Sequence, residues 1–159
     1  MSEKTLLDPS DIRVLKILQR DASLSIAEVA REAGMSQTPC WRRIKKLKES
    51  GVIRQTVAVV DSEAVGLGFV AYAFVKLAVP SRENMETFDK LVYRWPEVVI
   101  CERITGAVDY LIKVVASDIK AYDDFLRLKL LDNAMVSDVQ SRIVVNTVKQ
   151  TVALPLRES

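Results

Sequence analysis

The stretch from Gly34 to Gly51 constrains the fold more than any other, because it contains signals for both ends of a helix. Ser36 suits the N-cap, where its hydroxyl can accept a hydrogen bond from a first-turn amide. Pro39 is tolerated in that first turn, and Gly51 suits the left-handed conformation that ends many helices. The side that faces a core carries apolar residues at helical spacing, namely Cys40, Ile44 and Leu47.

The opposite side of this helix is polar and cationic. Amide and hydroxyl side chains cluster in its first turn, where a helix tip can reach base edges, and cations follow where they can meet phosphate. Between Ser36 and Arg54 six cations accompany one carboxylate, that of Glu49. A solvated basic face is the alternative explanation, since most charge runs serve that purpose. The predicted DNA-contacting residues are Ser36, Gln37, Thr38, Trp41, Arg42, Arg43, Lys45, Lys46, Lys48 and Arg54.

These residues are expected to contact different parts of the duplex. Those expected at or near base edges are Gln37, Thr38 and Arg42. Those assigned to phosphate are Lys45, Lys46, Lys48 and Arg54. Arg43 is expected to be half-buried, bracing the fold while it touches phosphate. Trp41 either contacts DNA or packs against the first helix or the connector that follows.

Two further helices are predicted ahead of the basic one. Asp8 is a candidate cap with Pro9 at the first helical position, and Ser25 and Glu28 form a capping box at the start of the second helix. Gly34 ends that second helix, and the basic helix begins at once. Two helices joined by a tight glycine turn, with a third ahead of them and cations on one side of the last, predict a helix-turn-helix unit.

The composition limits the kinds of protein that the chain can be. Its 159 residues are 49% hydrophobic and 28% charged, which suits one domain or two small ones with real cores. The absence of histidine excludes Ser-His-Asp, Cys-His and histidine-ligated metal chemistry. No nucleophile–base pair or metal motif is recognisable, so no enzyme, catalytic residue, metal or cofactor is expected. Without a leader or an apolar run of membrane-spanning length, we expect a cytoplasmic protein with no membrane partner.

After Gly51 the pattern becomes strand-like, and residues 52–60 predict a strand. The rest of the chain follows the order strand, helix, strand, strand, helix, strand. That order predicts a ferredoxin-like βαββαβ domain, with both helices on one face of an antiparallel sheet. The expected α+β architecture has a helix-turn-helix DNA-binding domain over residues 1–54, a strand and connector over residues 55–67, and the ferredoxin-like domain over residues 68–159.

The first strand of the second domain is apolar on both sides. Ala71, Ala73 and Val75 alternate with Tyr72 and Phe74, so each face of the sheet receives apolar residues. Helices cover only one face, and exposing the other would leave a large apolar patch. We therefore infer that a second subunit covers it. A two-fold homodimer would also pair two helix-turn-helix units for two DNA half-sites.

An ordered set of residues extends from about Leu6 to Leu156. In the first domain it comprises Leu7-Asp8, Asp11-Ile12, Leu15, Leu18-Gln19, Gly34-Met35-Ser36, Cys40, Arg43-Ile44, Leu47 and Gly51-Val52-Ile53. In the second domain it comprises Val98, Thr105-Gly106, Asp109-Tyr110, Lys149 and Ala153-Leu154-Pro155-Leu156. With this set the whole chain resembles the leucine-responsive regulatory protein/AsnC (Lrp/AsnC) family of transcriptional regulators, also called feast/famine regulators.

That resemblance implies a sequence-specific transcriptional regulator whose second domain forms dimers and often octameric rings. It also implies a small effector, typically an amino acid, bound between subunits beside the loop that joins the second and third strands. A glycine turn offers amides to a carboxylate, and an aspartate can receive an ammonium group. Gly106 and Asp109 are equally well explained as turn formers. The predicted effector-binding residues are Thr105, Gly106, Ala107, Asp109, Tyr110 and Ser141.

Overall fold

The computed structural model describes residues 7–157, and contacts divide the chain into two compact units. The first unit contains the described residues up to Ala58 together with those from Lys149 onward, and the second unit is Val59–Val148. Three helices form the first unit: α1 (Pro9–Arg20), α2 (Ile26–Glu32) and α3 (Gln37–Glu49). Their buried sides share one core cluster, which includes Val14, Val29, Cys40 and Leu47.

Local capping explains where the first two helices begin. The Asp11 amide donates to the Asp8 carboxylate at 2.8 Å, and the Asp8 amide donates back to the Asp11 carboxylate at 3.2 Å. At α2 the Glu28 amide donates to the Ser25 hydroxyl at 3.3 Å, and the Ser25 amide donates to the Glu28 carboxylate at 2.8 Å. Each pair satisfies amides that lack intrahelical partners, as a capping box does.

A buried ion pair joins α3 to α1. The Asp11 side chain is 2% exposed, and its Oδ1 accepts a hydrogen bond from Arg43 Nη1 at 2.6 Å. The same guanidinium nitrogen also donates to Asp8. Since a carboxylate buried without a partner is costly, Arg43 fixes the position of α3 on α1.

The predicted strand between the two domains is wrong for the described chain, in which residues 52–60 form no strand. Val57, Val59 and Val60 are 63%, 81% and 64% exposed. β-Branched residues favour extended backbone, but a strand also needs a neighbour to pair its peptide groups. Within residues 7–157, no strand pairs with this segment.

The last described residues belong with the first unit, whereas the sequence assigned them to the ferredoxin-like domain. The Gln19 carboxamide on α1 bonds both peptide groups of Leu154: its Oε1 accepts from the Leu154 amide at 2.6 Å and its Nε2 donates to the Leu154 carbonyl at 3.3 Å. Leu156 packs against the core cluster of the three helices. The boundary at residue 68 stays a prediction.

The second unit contains a four-stranded antiparallel sheet. Its elements are β1 (Phe69–Leu77), α4 (Arg82–Val92), β2 (Val98–Arg103), β3 (Tyr110–Ala116), α5 (Ile119–Phe125) and β4 (Val136–Ile143). A π-helical segment, Leu126–Leu131, continues α5. The strand order β2-β3-β1-β4, with antiparallel neighbours throughout, confirms the predicted ferredoxin-like βαββαβ domain.

The two faces of this sheet differ in burial. On β1, Ala71, Ala73 and Val75 are fully buried in the core cluster that α4 and α5 complete. The alternate residues Tyr72 and Phe74 are half-buried and belong to neither core cluster. The helices of the second unit therefore cover only one face of its sheet. None of the helices within residues 7–157 is both long and apolar enough to cross a membrane.

The buried ion pair generates a prediction about stability. Arg43→Met should lower the free energy of unfolding by about 2–3 kcal/mol, because Asp11 would lose its cation while remaining buried. The loss is smaller than for a fully buried ion pair, because the Arg43 side chain is 30% exposed. Arg42→Met, on the exposed side of the same helix, is the control and should change it by less than about 0.5 kcal/mol. Urea unfolding at neutral pH measures both. Equal stability of Arg43→Met and the parent would contradict the assignment.

The second ion pair of Arg43, which it forms with Asp8, should make stability depend on pH. The hydrogen bond from Arg43 is the largest effect on Asp8 and, with backbone hydrogen bonds, holds the pKa of that carboxyl below its ordinary value. A lowered pKa adds stability that is present above the unfolded-state pKa and is lost as pH falls through the folded-state pKa. The stability difference between the parent and Arg43→Met should therefore shrink as pH falls below 4.

Candidate nucleic-acid interface and effector loop

The turn between α2 and α3 sets the exposed side of α3. Gly34 has a φ of +67°, a left-handed conformation that favours glycine, and the Met35 amide donates to the Ala30 carbonyl at 2.9 Å. Ser36 is the N-cap of α3, as predicted, but its side chain makes no capping hydrogen bond in the described chain. The expected capping function of its hydroxyl is therefore wrong, and this exposed group stands at the tip of the helix.

All of the predicted DNA-contacting residues except one are exposed. Cys40, Ile44 and Leu47 of α3 are buried, as the apolar spacing predicted. The exposed members of the predicted set are Ser36, Gln37, Thr38, Trp41, Arg42, Lys45, Lys46, Lys48 and Arg54. Arg43 is the exception, because its guanidinium pairs with Asp8 and Asp11. This confirms that Arg43 is half-buried and braces the fold.

Trp41 is one of these exposed residues of α3. Its side chain is 50% exposed and is not part of either core cluster. Lys45 Nζ lies over the indole ring at 5.3 Å from the ring centroid and 3.8 Å from the Glu49 carboxylate. A cation at this distance is attracted by the face of the ring, so Trp41 and Glu49 together restrain Lys45.

The loop between β2 and β3 has an exposed part and an anchored part. Thr105, Gly106 and Ala107 are exposed, and Gly106 has a φ of +126°, which favours glycine. Asp109 anchors the loop, since its amide donates to the Val75 carbonyl at 2.9 Å. The Leu77 amide donates to Asp109 Oδ2 at 2.8 Å.

This anchoring gives Asp109 a structural function. The register of β1 against β4 shifts between Lys76 and Leu77, and the Asp109 carboxylate satisfies the Leu77 amide at this irregularity. Asp109 is therefore more than a turn former, because it joins two strands that are distant in sequence. An ammonium group would approach a carboxylate of which one oxygen is already occupied.

The structure does not bring Tyr110 and Ser141 to the exposed part of the loop. Tyr110 is fully buried, and its hydroxyl donates to Asp89 Oδ1 at 2.9 Å. Burial, together with the neighbouring Asp89 carboxylate, raises the pKa of Tyr110 to about 12. The Ser141 hydroxyl lies 2.6 Å from that of Tyr122 on α5, and no hydrogen bond joins it to the loop in the described chain.

Sequence reasoning gave no function to Asp89 and Arg103, the charged pair beside Tyr110. Arg103 Nη2 donates to Asp89 Oδ2, and the Tyr110 hydroxyl donates to the other oxygen of the same carboxylate. Asp89 lies on α4 and Arg103 ends β2, so only the packing of that helix on the sheet brings them together. No local sequence signal could have found this pair.

Two family profiles match the two units in order. The profile described as a winged helix-turn-helix DNA-binding domain matches residues 7–54, and that of the Lrp/AsnC ligand binding domain matches residues 70–154. The transcriptional regulator AzlB of Bacillus subtilis (strain 168) is 35% identical over 153 residues, which cover 96% of this chain and 98% of AzlB.

Solved structures are similar over the same length. The L-Met complex of a transcriptional regulator from Neisseria meningitidis has a TM-score of 0.90 and 35% identity, covering 94% of this chain and 97% of that one. An AsnC family transcriptional regulator from Agrobacterium tumefaciens has a TM-score of 0.89 and 40% identity, with the same coverage of both chains. The chain therefore belongs to the Lrp/AsnC family of transcriptional regulators, which bind DNA and are not enzymes.

Proposed function

We propose that the exposed side of α3 is the surface with which this regulator contacts double-stranded DNA. The observation that carries the proposal is the exposure of nine of the ten predicted contact residues on and next to one helix, while Cys40, Ile44 and Leu47 of that helix are buried. Polar side chains of the first turn and Arg42 can reach base edges in the major groove. The cations assigned to phosphate are Lys45, Lys46, Lys48 and Arg54. Because its partner is DNA, the protein is also proposed to be located in the cytoplasm.

Within this proposal Trp41 has two functions. Its half-exposed side chain can pack against sugar or a thymine methyl group, and the face of its ring restrains Lys45. A restrained lysine loses less side-chain entropy when it meets phosphate than a free one does. Arg43 is proposed to touch phosphate with the part of its guanidinium that Asp8 and Asp11 leave exposed.

The proposed effector is an amino acid bound beside the loop between β2 and β3. Exposed backbone amides around Gly106 suit a carboxylate, and Asp109 Oδ1 suits an ammonium group, since Oδ2 accepts from Leu77. The ligand-binding-domain profile and the L-Met complex of the Neisseria meningitidis regulator support this ligand class. Tyr110 is proposed to hold the base of the loop from within the core, and Ser141 is a weaker candidate.

The proposed assembly is a homodimer that builds larger rings, such as an octamer. The support is the second face of the sheet, where Tyr72 and Phe74 belong to neither core cluster. Apolar area of this kind on a small domain is usually covered by a partner. Dimerisation would provide two copies of α3 for two half-sites.

The DNA contacts can be tested by comparing two substitutions on α3. Arg42→Ala should weaken binding to the specific site by about 1–3 kcal/mol and change binding to scrambled DNA less, because it removes a base contact. Lys45→Ala should weaken binding to all sequences alike and reduce the salt slope by about one unit. Fluorescence anisotropy with DNA from upstream of the protein's own gene measures both across a salt series.

Lys120→Ala serves as the control, since this exposed cation belongs to the second unit. Equal losses on specific and scrambled DNA for Arg42→Ala would reject base contact. If the parent protein binds DNA from upstream of its own gene and scrambled DNA with equal affinity, the basic surface does not discriminate between sequences.

The effector loop can be tested with Asp109→Asn. The carboxamide oxygen can still accept from the Leu77 amide, so the strand irregularity should survive, but the negative charge that pairs with an ammonium group is lost. We expect amino acids to change the DNA affinity of the parent and to leave that of Asp109→Asn unaltered. Glu83→Gln, an exposed neutralisation on α4, should behave like the parent. A full response from Asp109→Asn would exclude the loop.

The dimer can be tested with Phe74→Asp, which places a charge in the proposed interface. Light scattering should give twice the 17.8 kDa mass of one chain, or a larger multiple, for the parent at micromolar concentration and a lower mass for the variant. Thr87→Asp, on the exposed side of α4, should leave the mass of the assembly unchanged. A monomeric parent would overturn the proposal.

A further inference from the structure

The side of the sheet that no helix covers carries charged residues in a fixed order. Residues that lie opposite each other on neighbouring antiparallel strands point to the same face, so the strand register shows which residues share a face with Tyr72 and Phe74. Lys113 of β3 and Arg142 of β4 lie opposite Tyr72, one on each side of it. Lys113 is half-buried and Arg142 is exposed. This row across the sheet is therefore cationic.

The next row of the same face ends in a carboxylate. Phe74 of β1 lies opposite Leu111 of β3 and Gln140 of β4. Leu111 in turn lies opposite Glu102 of β2, which is an edge strand of the sheet. The exposed Glu102 is therefore one row and one strand away from Lys113. The two rows differ in the sign of their charge.

Within residues 7–157, neither Lys113 nor Glu102 forms an ion pair. Two further charged residues of this face, Lys76 and Asp138, lie opposite each other and can balance their charges within one chain. The residues opposite Lys113 on both neighbouring strands are uncharged. Any surface that covers the face would remove the remaining water from the Lys113 ammonium group, which is costly unless a carboxylate meets it. The covering surface must therefore supply that carboxylate.

If a second copy covers the face, the carboxylate must come from the same face of that copy. Two identical sheets with nearly aligned strands can face each other across a two-fold axis that runs either along the strands or across them. An axis along the strands, between β1 and β3, lays Lys113 on Tyr72 of the partner subunit and beside Arg142 of the partner subunit. Like charges would then meet, which is unfavourable.

An axis across the strands, between the two rows, has the opposite result. It lays β3 on β3 of the partner subunit and exchanges the rows, so that Lys113 lies over Leu111 of the partner subunit. Glu102 of the partner subunit is then one strand spacing away, about 4.8 Å, which the long lysine side chain can reach. Tyr72 lies over Phe74 of the partner subunit, where the two aromatic rings can pack. The charge pattern therefore favours this axis.

We propose that Lys113 of each subunit forms an ion pair with Glu102 of the partner subunit, and that these two equal ion pairs fix an antiparallel orientation of the two sheets. This inference rests on the proposed homodimer and adds the orientation of its subunits. A different regulator that lacks the carboxylate would leave Lys113 buried without a counterion. The same ion pairs therefore favour assembly with a second copy of this chain over mixed dimers.

The first experiment measures how charge reversal changes the dissociation constant of the dimer, by light scattering of the full chain across a dilution series. Lys113→Glu would place a carboxylate beside Glu102 of the partner subunit, and Glu102→Lys would bring two lysines together. Each variant should raise the dissociation constant at least about tenfold, because two like-charge contacts replace two ion pairs. Lys120→Glu, an exposed reversal on α5, should leave it unchanged.

The sign of the Lys113→Glu effect decides between the two axes. With the axis along the strands, the new carboxylate would meet Arg142 of the partner subunit and strengthen the dimer. An equal or stronger dimer for Lys113→Glu would therefore overturn the inference and leave the homodimer itself standing. A monomeric parent would overturn both.

The second experiment mixes the two variants in equal amounts. In a dimer of one Lys113→Glu chain and one Glu102→Lys chain, both contacts between subunits have opposite charges, whereas the charges of the two positions within each chain are alike. The mixture should therefore recover the mass of the parent assembly at a concentration at which each variant alone is dissociated. Recovery would also show that both variants are folded. A mixture that stays dissociated, or recovery in the double variant only, would overturn the inference.

A milder substitution keeps the inference testable if a charge reversal unfolds the chain. Glu102→Gln changes only an exposed side chain and removes the charge that Lys113 of the partner subunit needs. It should also raise the dissociation constant of the dimer, and an unchanged constant would contradict the proposed ion pair.

Discussion

The second unit depends on one constraint, which is that its central strand is apolar on both sides while its helices cover only one. β1 is one of the two inner strands of the sheet, and it forms hydrogen bonds with β3 on one side and with β4 on the other. Ala71 and Ala73 are small, and this lets α4 and α5 approach the sheet closely enough to bury Phe88 and Phe125. This two-layer arrangement leaves the other side of β1, with Tyr72 and Phe74, without a covering helix.

The first unit is organised differently, around charge as well as apolar burial. Three short helices bury few side chains, and Asp11 places a carboxylate among them that Arg43 neutralises. Arg43, a residue of the helix that we propose contacts DNA, is thus committed to the fold. Within α3, the side chains that hold the helix in place are thus different from the exposed side chains that are proposed to contact DNA.

Local signals explain what the sequence could predict. The Asp8 cap, the capping box at Ser25 and the alternation of β1 each depend on residues a few positions apart, and the structure confirms them. The order of strands and helices along the chain then predicted the topology of the sheet, because few ways of connecting such elements are possible.

Contacts between distant residues explain what could not be predicted. The Asp109 carboxylate meets an amide 32 positions away, and Gln19 meets Leu154 at a separation of 135. The β-branched run at residues 52–60 has the local signature of a strand, yet strand formation depends on a neighbour that sequence alone cannot show. Among the predicted effector residues, burial of Tyr110 and the Tyr122 contact of Ser141 arise in the same way, from packing of helices on the sheet.

The attachment of the last residues to α1 has a consequence for synthesis on the ribosome. The three helices emerge first, but Leu154 and Leu156, which complete their contacts, follow only after all of Val59–Val148 has been made. At ordinary translation rates this interval is on the order of ten seconds. During it Gln19 faces water and the helical core lacks Leu156. The unit that is translated first is therefore the last to be finished, after the sheet domain has had time to fold.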